Sequence, residues 1–493
     1  MYSIGYDIGS SSIKAAIIDL ETGNLAADDF YPKSEMEITS LKPGFAEQNP
    51  ENWWENLKLL TAKIIKENNI PLERIKCIGI SYQMHGLVLI DKNMKALRPS
   101  IIWCDSRAVE IGNKAFSDLG KDYFLNNLLN SPGNFTASKL KWVCDNEKDI
   151  FNKIYKILLP GDYIACRMTG EPATTISGLS EGIFWDFSSS RIAEKLLNYY
   201  GLDSSLLPDI KPTFSEQGYL TKTAADELGL KEGIPISYRA GDQPNNAFSL
   251  NVLNPGEVAA TGGTSGVIYA VAGNIKVDEK SRVNNFAHVN YSEKNKNLGV
   301  LLCINGTGIL NSWMRKNFAP GLSYGEMNLL AEKAPIGSEG VSILPFGNGA
   351  ERVLENKNIG SHILGLDFNR HSLSHLFRGA QEGIAFSFKY GFEIMKKMGI
   401  ETNVIRAGKS NLFLSKIFTQ TLSDITGVKI ELYNTGGAQG AARGAAIGAG
   451  FYKSGSDAFK SLKVIDVFQP VEKNRNSTLN AYELWFNRMN RFL

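Results

Sequence analysis

Two short turns carry groups that could bind phosphate. The first, Gly9-Ser10-Ser11-Ser12, directly follows an apolar segment and is itself followed by Lys14. Backbone N–H groups and hydroxyls in such a turn can surround phosphate oxygens. The Lys14 ammonium could add positive charge, or it could simply lie on the solvated face of a strand. The second turn, over residues 261–266, offers the same kinds of donor from Gly263, Thr264 and Ser265. Two such turns in corresponding places would hold a polyphosphate from both sides.

Asp7 stands at the end of the first apolar segment, directly before the glycine turn. A carboxylate is costly to bury there unless it is paired. One interpretation is that Asp7 binds Mg²⁺, directly or through water, beside nucleotide phosphates. The other is that its carboxylate accepts hydrogen bonds from its own turn. The spacing alone leaves both interpretations open.

A second candidate carboxylate, Asp242, lies in the polar segment Gly241-Asp242-Gln243-Pro244-Asn245-Asn246, which follows a predicted strand and which we interpret as a loop. So many polar side chains after a strand suit a ligand with hydroxyl groups, and Asp242 could then be a general base. The alternative is an Asx-turn at a domain junction. We place the domain boundary here, with an N-terminal domain over residues 1–245 and a C-terminal domain over residues 246–493.

The segment Gln83-Met84-His85-Gly86 follows another apolar strand, and strand ends are common places for ligand contacts in α/β sheets. The side chains of Gln83 and His85 can donate and accept hydrogen bonds, which suits a polyol. The alternative is a core histidine with satisfied hydrogen bonds beside a methionine that packs in the core.

These candidate groups need strands that bring them together. Residues 2–8 alternate between large apolar and smaller or polar side chains, which predicts a strand, and a second apolar strand follows the turn over residues 13–18. Dinucleotide-binding folds and P-loops place a helix after the glycine turn, so both are disfavoured. A similar strand, turn and strand recur over residues 257–271, which suggests a duplicated domain.

Helices and strands alternate through the rest of the chain, which predicts α/β architecture. A helix is predicted over residues 49–67, with Asn49 as its cap and Pro50 as its first residue. The small-residue segment over residues 436–450 is predicted to be a tightly packed helix. The remaining predicted elements are strands over residues 75–81, 87–90 and 404–407 and a helix near residues 416–426.

Composition excludes several classes of protein. The chain has 493 residues, with 53 Lys and Arg against 51 Asp and Glu, a formal net charge of +2. No excess of cations is available to displace the counterions of a nucleic acid, so none is expected as a partner. Five scattered cysteines without a C-x-x-C pair, no leader segment and no long apolar run predict a cytoplasmic protein without a membrane span.

Several segments, taken in their order and spacing, resemble the FGGY family of carbohydrate kinases over about residues 1–450. Each motif alone is weak evidence, whereas the ordered set is specific. Among the family, the chain looks most like the members that phosphorylate D-xylulose. The matching segments are Asp7-Ile8-Gly9-Ser10-Ser11-Ser12-Ile13-Lys14, Gln83-Met84-His85-Gly86, Trp103-Cys104-Asp105-Ser106-Arg107, Gly241-Asp242-Gln243 and Gly263-Thr264-Ser265-Gly266.

The resemblance implies a fold of two actin/hexokinase-like (ribonuclease H-like) α/β domains around a central cleft. It implies ATP and Mg²⁺ as cofactors and transfer of the γ-phosphoryl group to a hydroxyl of a small-molecule sugar. Met84 and His85 match the family's sugar contacts, and the further candidate sugar-binding residues are Gln83, Trp103, Asp105 and Gln243. A homodimer is the candidate assembly.

The resemblance also assigns roles to the carboxylates and the turns. Asp242 matches the general base, and Asp7 matches the carboxylate that manages Mg²⁺. The phosphate loop of the family's C-terminal domain is matched by Gly263, Thr264 and Ser265. The first turn, with Gly9, Ser10, Ser11, Ser12 and Lys14, stays the second candidate for holding the phosphates. The adenosine moiety would be bound by Gly408 and Asn411. The last two match loosely, because the family usually has a run of glycines where this chain has Ala407-Gly408-Lys409-Ser410-Asn411. One extra residue also precedes Glu351 and Arg352, which puts the position of that pair in question.

Three alternatives to a xylulose-specific kinase follow from the same residues. Another sugar or polyol, such as ribulose, gluconate, fuculose or glycerol, could be the substrate, since Gln83-Met84-His85-Gly86 is only one wall of the pocket. A chaperone or filament ATPase of the same superfamily is disfavoured, because no room remains for a peptide-binding module. A sugar-sensing transcriptional regulator is disfavoured, because the first strand begins at residue 2.

Overall fold

The computed structural model describes residues 1–274 and 277–493, which form two compact units. Neither unit is one continuous piece of chain. The N-terminal unit comprises Met1–Asn251, Phe286–Leu298 and Thr435–Leu462. The C-terminal unit comprises Val252–Asn285, Gly299–Asn434 and Lys463–Leu493.

The helices are labelled in chain order. They are α1 (Pro50–Glu67), α2 (Val109–Leu119), α3 (Thr136–Asn146), α4 (Pro160–Thr169), α5 (Ile176–Glu181), α6 (Glu194–Tyr200), α7 (Lys222–Leu228), α8 (Asp242–Ser249), α9 (Gly308–Phe318), α10 (Tyr324–Ala331), α11 (Leu373–Lys397), α12 (Lys416–Thr426), α13 (Gly437–Gly448) and α14 (Glu472–Met489). Shorter helical segments are Lys121–Tyr123, Lys148–Phe151 and Gly455–Ala458.

Five strands form the sheet of the N-terminal unit, in the order β5-β4-β1-β2-β3. The strands β1 and β2 form the predicted hairpin, whereas β1, β4 and β5 run parallel. Because parallel strands end at the same edge of a sheet, the residues that follow β1, β4 and β5 lie side by side. The strands are β1 (Tyr2–Ile8), β2 (Ile13–Asp19), β3 (Leu25–Tyr31), β4 (Ile75–Tyr82) and β5 (Ile236–Gly241).

The helix α13 packs directly on the central strands of this sheet. A Cβ atom added to Gly5 of β1 would lie 2.0 Å from the carbonyl oxygen of Ala438, and one added to Gly79 of β4 would lie 2.0 Å from that of Ala441. Such close approach of helix and strand backbones requires glycine in both strands. The prediction of a tightly packed helix over residues 436–450 is therefore confirmed.

The helix α1 begins as the sequence predicts. The Asn49 side-chain oxygen accepts a hydrogen bond from the Glu51 N–H at 3.1 Å, and Pro50 occupies the first turn, where no intrahelical donor is needed. The buried side chains Trp53, Trp54, Leu57, Leu60 and Ile64 form its core-facing side.

The sheet of the C-terminal unit repeats the arrangement of the first. Its strands β6 and β7 form a hairpin, and β10 and β11 run parallel to β6, as β4 and β5 do to β1. The predicted repetition of one α/β domain is thereby confirmed. The sheet has the order β8-β9-β7-β6-β10-β11-β12, formed by β6 (Glu257–Gly262), β7 (Gly266–Ala272), β8 (Asn284–Ala287), β9 (Leu298–Ile304), β10 (Val404–Gly408), β11 (Ile430–Tyr433) and β12 (Val464–Phe468).

Small two-stranded sheets complete the architecture. They pair Glu47–Gln48 with Ser100–Ile101, Val88–Ile90 with Lys156–Leu158, Ala173–Thr174 with Asp209–Ile210, Trp185–Asp186 with Arg191–Ile192 and Ser342–Phe346 with Gly360–Leu364. Within residues 1–274 and 277–493, no helix combines the length and apolar character that crossing a bilayer requires.

One predicted element is wrong. The sequence predicts a loop for the polar segment after β5, but the segment is the first turn of α8, with Gly241 as the N-cap residue. Pro244 and several polar side chains suggest a loop, yet a proline is tolerated in a first turn because those N–H groups have no intrahelical acceptor. Asp242 therefore lies at a helix N-terminus, where the aligned peptide dipoles favour a carboxylate.

Candidate active site

The edge where β1, β4 and β5 end carries both predicted catalytic carboxylates and the loop that begins at Gln83. In the strand register Asp7 lies opposite Ser81 of β4, and Gly241 of β5 lies opposite Tyr82. Asp7, the loop that begins at Gln83 and Asp242 are therefore brought to one edge by three neighbouring parallel strands.

Asp7 is almost fully buried and has two charged or polar partners. Its Oδ1 atom accepts a hydrogen bond from the Ser81 hydroxyl at 2.8 Å, and the Lys14 ammonium lies 3.5 Å from its Oδ2 atom. A Cβ atom at Gly437, the first residue of α13, would lie 2.7 Å from Asp7 Oδ2 and 3.2 Å from Asn246 Oδ1. The start of α13, the helix α8 and the end of β1 thus converge at this carboxylate.

The first predicted phosphate turn is a tight hairpin. The Gly9 N–H donates to the carbonyl oxygen of Ser12 at 3.1 Å, and a Cβ atom at Gly9 would lie 2.9 Å from that oxygen. Ser11 is exposed, whereas Ser10 and Ser12 are half-buried. The hydroxyls and N–H groups of this turn stay predicted phosphate ligands.

Asp242 is half-buried at the start of α8, and its pKa is raised to about 7. Loss of solvation is the main cause, and the negative charge of Asp7 is the second, whereas hydrogen bonds from Gln243 and the positive charge of Lys14 oppose the rise. A carboxylate with a pKa near neutrality is a stronger base than a solvated one, as a general base requires.

The His85 side chain is held by groups on two sides. Its Nδ1 atom lies 2.8 Å from the carbonyl oxygen of Glu181, and its ring packs against the rings of Phe135 and Phe286. A carbonyl oxygen only accepts, so Nδ1 carries a proton, and in the neutral ring Nε2 is then an acceptor. Behind the loop, the Lys139 ammonium donates to the carbonyl oxygen of His85 at 2.8 Å.

Gln83 and Met84 are buried beside His85. The Gln83 amide donates to the side-chain oxygen of Gln48 at 3.2 Å, and the Gln48 amide donates to the carbonyl oxygen of Ser10 at 2.7 Å. Gln48 therefore connects the predicted sugar loop, Gln83-Met84-His85-Gly86, with the first predicted phosphate turn. Sequence reasoning missed it, because no motif marks a glutamine that acts between two distant loops.

Trp103 and Asp105 have different surroundings. Trp103 is half-exposed, and its indole N–H lies 3.4 Å from the hydroxyl of Ser10. The Asp105 side chain is fully buried, where it accepts from the Arg107 guanidinium at 2.7 Å and from the Ala46 N–H at 2.6 Å. Trp103 thus lies beside the phosphate turn, whereas Asp105 orders the segment behind it. Their predicted contacts with the sugar stay predictions.

The second predicted phosphate turn borders a cavity of about 560 Å³ in the C-terminal unit. The first N–H groups of α9 hold the turn, since Gly308 donates to the carbonyl oxygen of Gly263 and Ile309 to that of Thr264, both at 3.1 Å. Gly263, Thr264 and Asn411 line the cavity together with Tyr324 and Asn328. Gly408 ends β10, three residues before Asn411, and Ser265 completes the turn.

Glu351 supports this turn from behind. It is fully buried, and its two carboxylate oxygens accept from the N–H groups of Asn305 at 2.9 Å and Gly306 at 3.1 Å. Those residues lead into α9, whose first N–H groups hold Gly263 and Thr264. Burial raises the pKa of Glu351 to about 7, although both hydrogen bonds oppose the rise. The extra residue before it in the sequence is thus compatible with a well-defined position.

Replacing Glu351 by Gln is expected to raise KM for ATP about tenfold and to change KM for the sugar less than twofold. The amide oxygen can accept one of the two N–H groups, but the amide NH₂ cannot accept the other, and one hydrogen bond is worth up to about tenfold in affinity. Steady-state kinetics with each substrate varied would measure both constants. The matched control is Glu355→Gln, at an exposed carboxylate paired with Lys280. Equal rises in both KM values would contradict a role in the nucleotide site.

Two family models match the chain. The N-terminal domain model of the FGGY family of carbohydrate kinases covers residues 2–249, and the C-terminal domain model covers residues 258–452. The chain belongs to the FGGY family of carbohydrate kinases. As an FGGY kinase it is an ATP-dependent sugar kinase, a class that usually uses Mg²⁺.

This FGGY kinase is similar to xylulose kinases in sequence and in fold. It is 28% identical to the xylulose kinase of Bacillus subtilis (strain 168), over 99% of this chain and 96% of that one. Its fold matches the crystal structure of xylulose kinase from Rhodospirillum rubrum with a TM-score of 0.90 at 24% identity, covering 100% and 99% of the two chains. It also matches the Plasmodium falciparum glycerol kinase crystallised with ADP, with a TM-score of 0.88 at 24% identity over 100% and 98%.

The residues of this FGGY kinase fit the ion that the family uses. Across residues 1–274 and 277–493, no group of three or more His, Cys, Asp or Glu side chains is arranged to hold a metal ion. Mg²⁺ does not need one, because it is usually bound by one or two carboxylates, phosphate oxygens and water. Asp7, with an oxygen not taken by Ser81, has the chemistry of such a ligand.

Proposed function

We propose that this FGGY kinase transfers the γ-phosphoryl group of ATP to D-xylulose and releases D-xylulose 5-phosphate and ADP. One observation carries the proposal: Asp242, a carboxylate with a pKa near neutrality, lies at the same sheet edge as Asp7 and the Gln83-Met84-His85 loop. The similarity to xylulose kinases over nearly the whole chain supports the choice of sugar.

Asp242 is proposed as the general base. Its carboxylate orients the attacking hydroxyl and takes the hydroxyl proton late in the transfer, because a carboxylate is far too weak a base to ionise an alcohol beforehand. The oxygen–phosphorus bond to the sugar forms as the bond between the γ-phosphorus and the bridging oxygen of ADP breaks. Burial, and after it the negative charge of Asp7, keeps the pKa of Asp242 high enough for this role.

The remaining residues are proposed to bind and orient the two substrates. Gln83, His85, Trp103 and Gln243 would contact the sugar, and Met84 would pack against its carbon skeleton. Asp105 would act on the sugar site through the segment that carries Trp103. Asp7 would hold Mg²⁺, which neutralises phosphate charge when it is bound. The phosphates would be bound by Gly9, Ser10, Ser11, Ser12, Lys14, Gly263, Thr264 and Ser265, and the adenosine moiety by Gly408 and Asn411.

The substrate is tested by measuring ADP release with ATP and Mg²⁺ over a panel of D-xylulose, D-ribulose, L-fuculose, gluconate and glycerol. We expect the highest kcat/KM for D-xylulose. A higher value for any other member would reject D-xylulose and keep the kinase. Glycerol is included because a glycerol kinase shares this fold at a TM-score of 0.88.

The pH dependence of kcat/KM for the sugar is expected to show an acid limb. Below about pH 7, Asp242 is protonated and cannot accept the hydroxyl proton, so kcat/KM should fall about tenfold per pH unit and should be constant at higher pH. Rates at saturating Mg²⁺ from about pH 5.5 to about pH 8.5 would define the limb. A flat profile in that range would contradict the assignment of Asp242 as the base.

A further inference from the structure

Glu181, the last residue of α5, is a fully buried carboxylic acid beside the predicted sugar loop. Its Oε1 atom accepts a hydrogen bond from the His85 N–H at 3.3 Å. Its Oε2 atom is buried and has no hydrogen-bond partner among the described residues. An unpaired buried carboxyl oxygen is costly, so its presence calls for a compensating role.

The surroundings of Oε2 make this cost larger. A Cβ atom at Gly241 would lie 2.4 Å from Glu181 Oε2 and 2.6 Å from Met84 Cγ, so Glu181 packs against the residue that precedes Asp242. Burial raises the pKa of Glu181 well above its usual range, and the negative charges of Asp162 and Asp242 raise it further. Side chains that break the rules of core packing in this way cluster at functional sites.

Two bonds connect Glu181 to His85. The side chain accepts from the His85 N–H, and the main-chain carbonyl oxygen accepts from Nδ1. The backbone of His85 has a φ of 61°, in the left-handed region that side chains other than glycine rarely adopt. Such a conformation persists only where neighbouring groups hold it in place.

We propose that Glu181 is a positioning residue for sugar recognition. Its side chain holds the left-handed backbone of His85, and its carbonyl oxygen fixes the Nδ1–H tautomer and the orientation of the ring, so that the sugar contacts His85 in one tautomer and one conformation. This inference rests on the proposed function, in which His85 contacts the sugar. It extends that function to a residue outside every motif that identifies the family in this chain.

The kinetic test uses three single variants and one double variant. Glu181→Met keeps the length of the side chain but removes the acceptor, and it is expected to raise KM for D-xylulose about tenfold with KM for ATP changed less than twofold. Glu181→Gln keeps an acceptor for the His85 N–H and should stay within about threefold of wild type. His85→Ala should raise the sugar KM by itself, and adding Glu181→Met to it should change that KM less than twofold, because Glu181 acts through His85.

Thermal stability separates this role from a purely structural one. Because Glu181 lacks a partner for one oxygen, Glu181→Gln is expected to keep or raise Tm. The matched control is Glu382→Gln, at a buried carboxylate that is paired with Arg378 at 2.7 Å and should lose Tm when changed. A sugar KM within twofold of wild type in folded Glu181→Met, or the same increase in the His85→Ala background, would overturn the proposal.

A spectroscopic measurement tests the tautomer without any activity. In the chain labelled with ¹⁵N-histidine, the ring signals that disappear in His85→Ala are assigned to His85, and in the neutral form of the ring they should show Nδ1 protonated and Nε2 unprotonated. An Nε2–H tautomer in wild type would overturn the proposal even if the kinase phosphorylates D-xylulose. Conversely, failure of every sugar in the panel would reject the proposed function. The tautomer measurement would still test the effect of Glu181 on His85, because it does not depend on activity.

Discussion

Asp242→Asn is expected to lower kcat by about 10²–10⁴-fold, the range for a lost acid–base group, with the KM for ATP unchanged. Asparagine keeps the shape of the side chain but cannot take the hydroxyl proton. Burial and the negative charge of Asp7 hold the pKa of the Asp242 carboxyl at about 7. A carboxyl outside this environment has a lower pKa and is a weaker base, so no other carboxyl is expected to replace Asp242 as the base. Rapid-quench and steady-state measurements of ADP release would give the value.

The same substitution is expected to keep or raise Tm at pH 8. The folded-state pKa of Asp242 lies above its unfolded value of about 3.9, so ionisation of this group favours the unfolded chain. The penalty grows from about pH 4 to about pH 7 and is fully present at higher pH. Asparagine removes that penalty, and the gain should vanish below about pH 4. The matched control, Asp226→Asn at an exposed carboxylate paired with Lys222, should leave both kcat and Tm at wild-type values. More than half of wild-type kcat in Asp242→Asn would reject it as the base.

Asp7→Ala is expected to lower Mg²⁺-dependent turnover by at least about 10–100-fold, the loss typical of groups that orient a metal ligand, and to raise the Mg²⁺ concentration needed for half-maximal rate. The substitution removes the carboxylate that pairs with Lys14 and accepts from Ser81. It also removes a negative charge that raises the pKa of Asp242, so the acid limb of kcat/KM should move to lower pH. Titrations of Mg²⁺ at fixed ATP would measure the first effect.

The control for Asp7 is an aspartate that does form its own turn. The Oδ1 atom of Asp19 accepts from the N–H groups of Glu21 and Thr22, both at 2.9 Å. Asp19→Ala should therefore lower Tm without changing the Mg²⁺ dependence. If Asp7→Ala behaves in the same way as Asp19→Ala, Asp7 forms its turn and does not manage the metal.

Local patterns predicted the elements whose signals are complete within a short stretch of chain. The cap and first proline of α1 and the hairpin of β1 and β2 are found where the sequence predicts them. The start of α8 was missed, because the polar residues of a helix N-terminus resemble those of a loop when no capping side chain precedes them. The ordered set of motifs was sufficient to assign the family. Each motif lies within a short segment, and the motifs follow one another in the order and spacing that resemble the family.

Contacts between distant segments could not be predicted from local sequence patterns. Gly437 comes 430 residues after Asp7, and its place against that carboxylate depends on how closely α13 packs on Gly5 and Gly79. Glu181 and Glu351 carry no motif, since their roles arise from desolvation and from hydrogen bonds to the backbone of other loops. A short stretch of sequence specifies hydrogen bonds and burial within one element, whereas the pKa of a carboxyl depends on every charge and every missing water around it. Those neighbours are present only once the chain has folded.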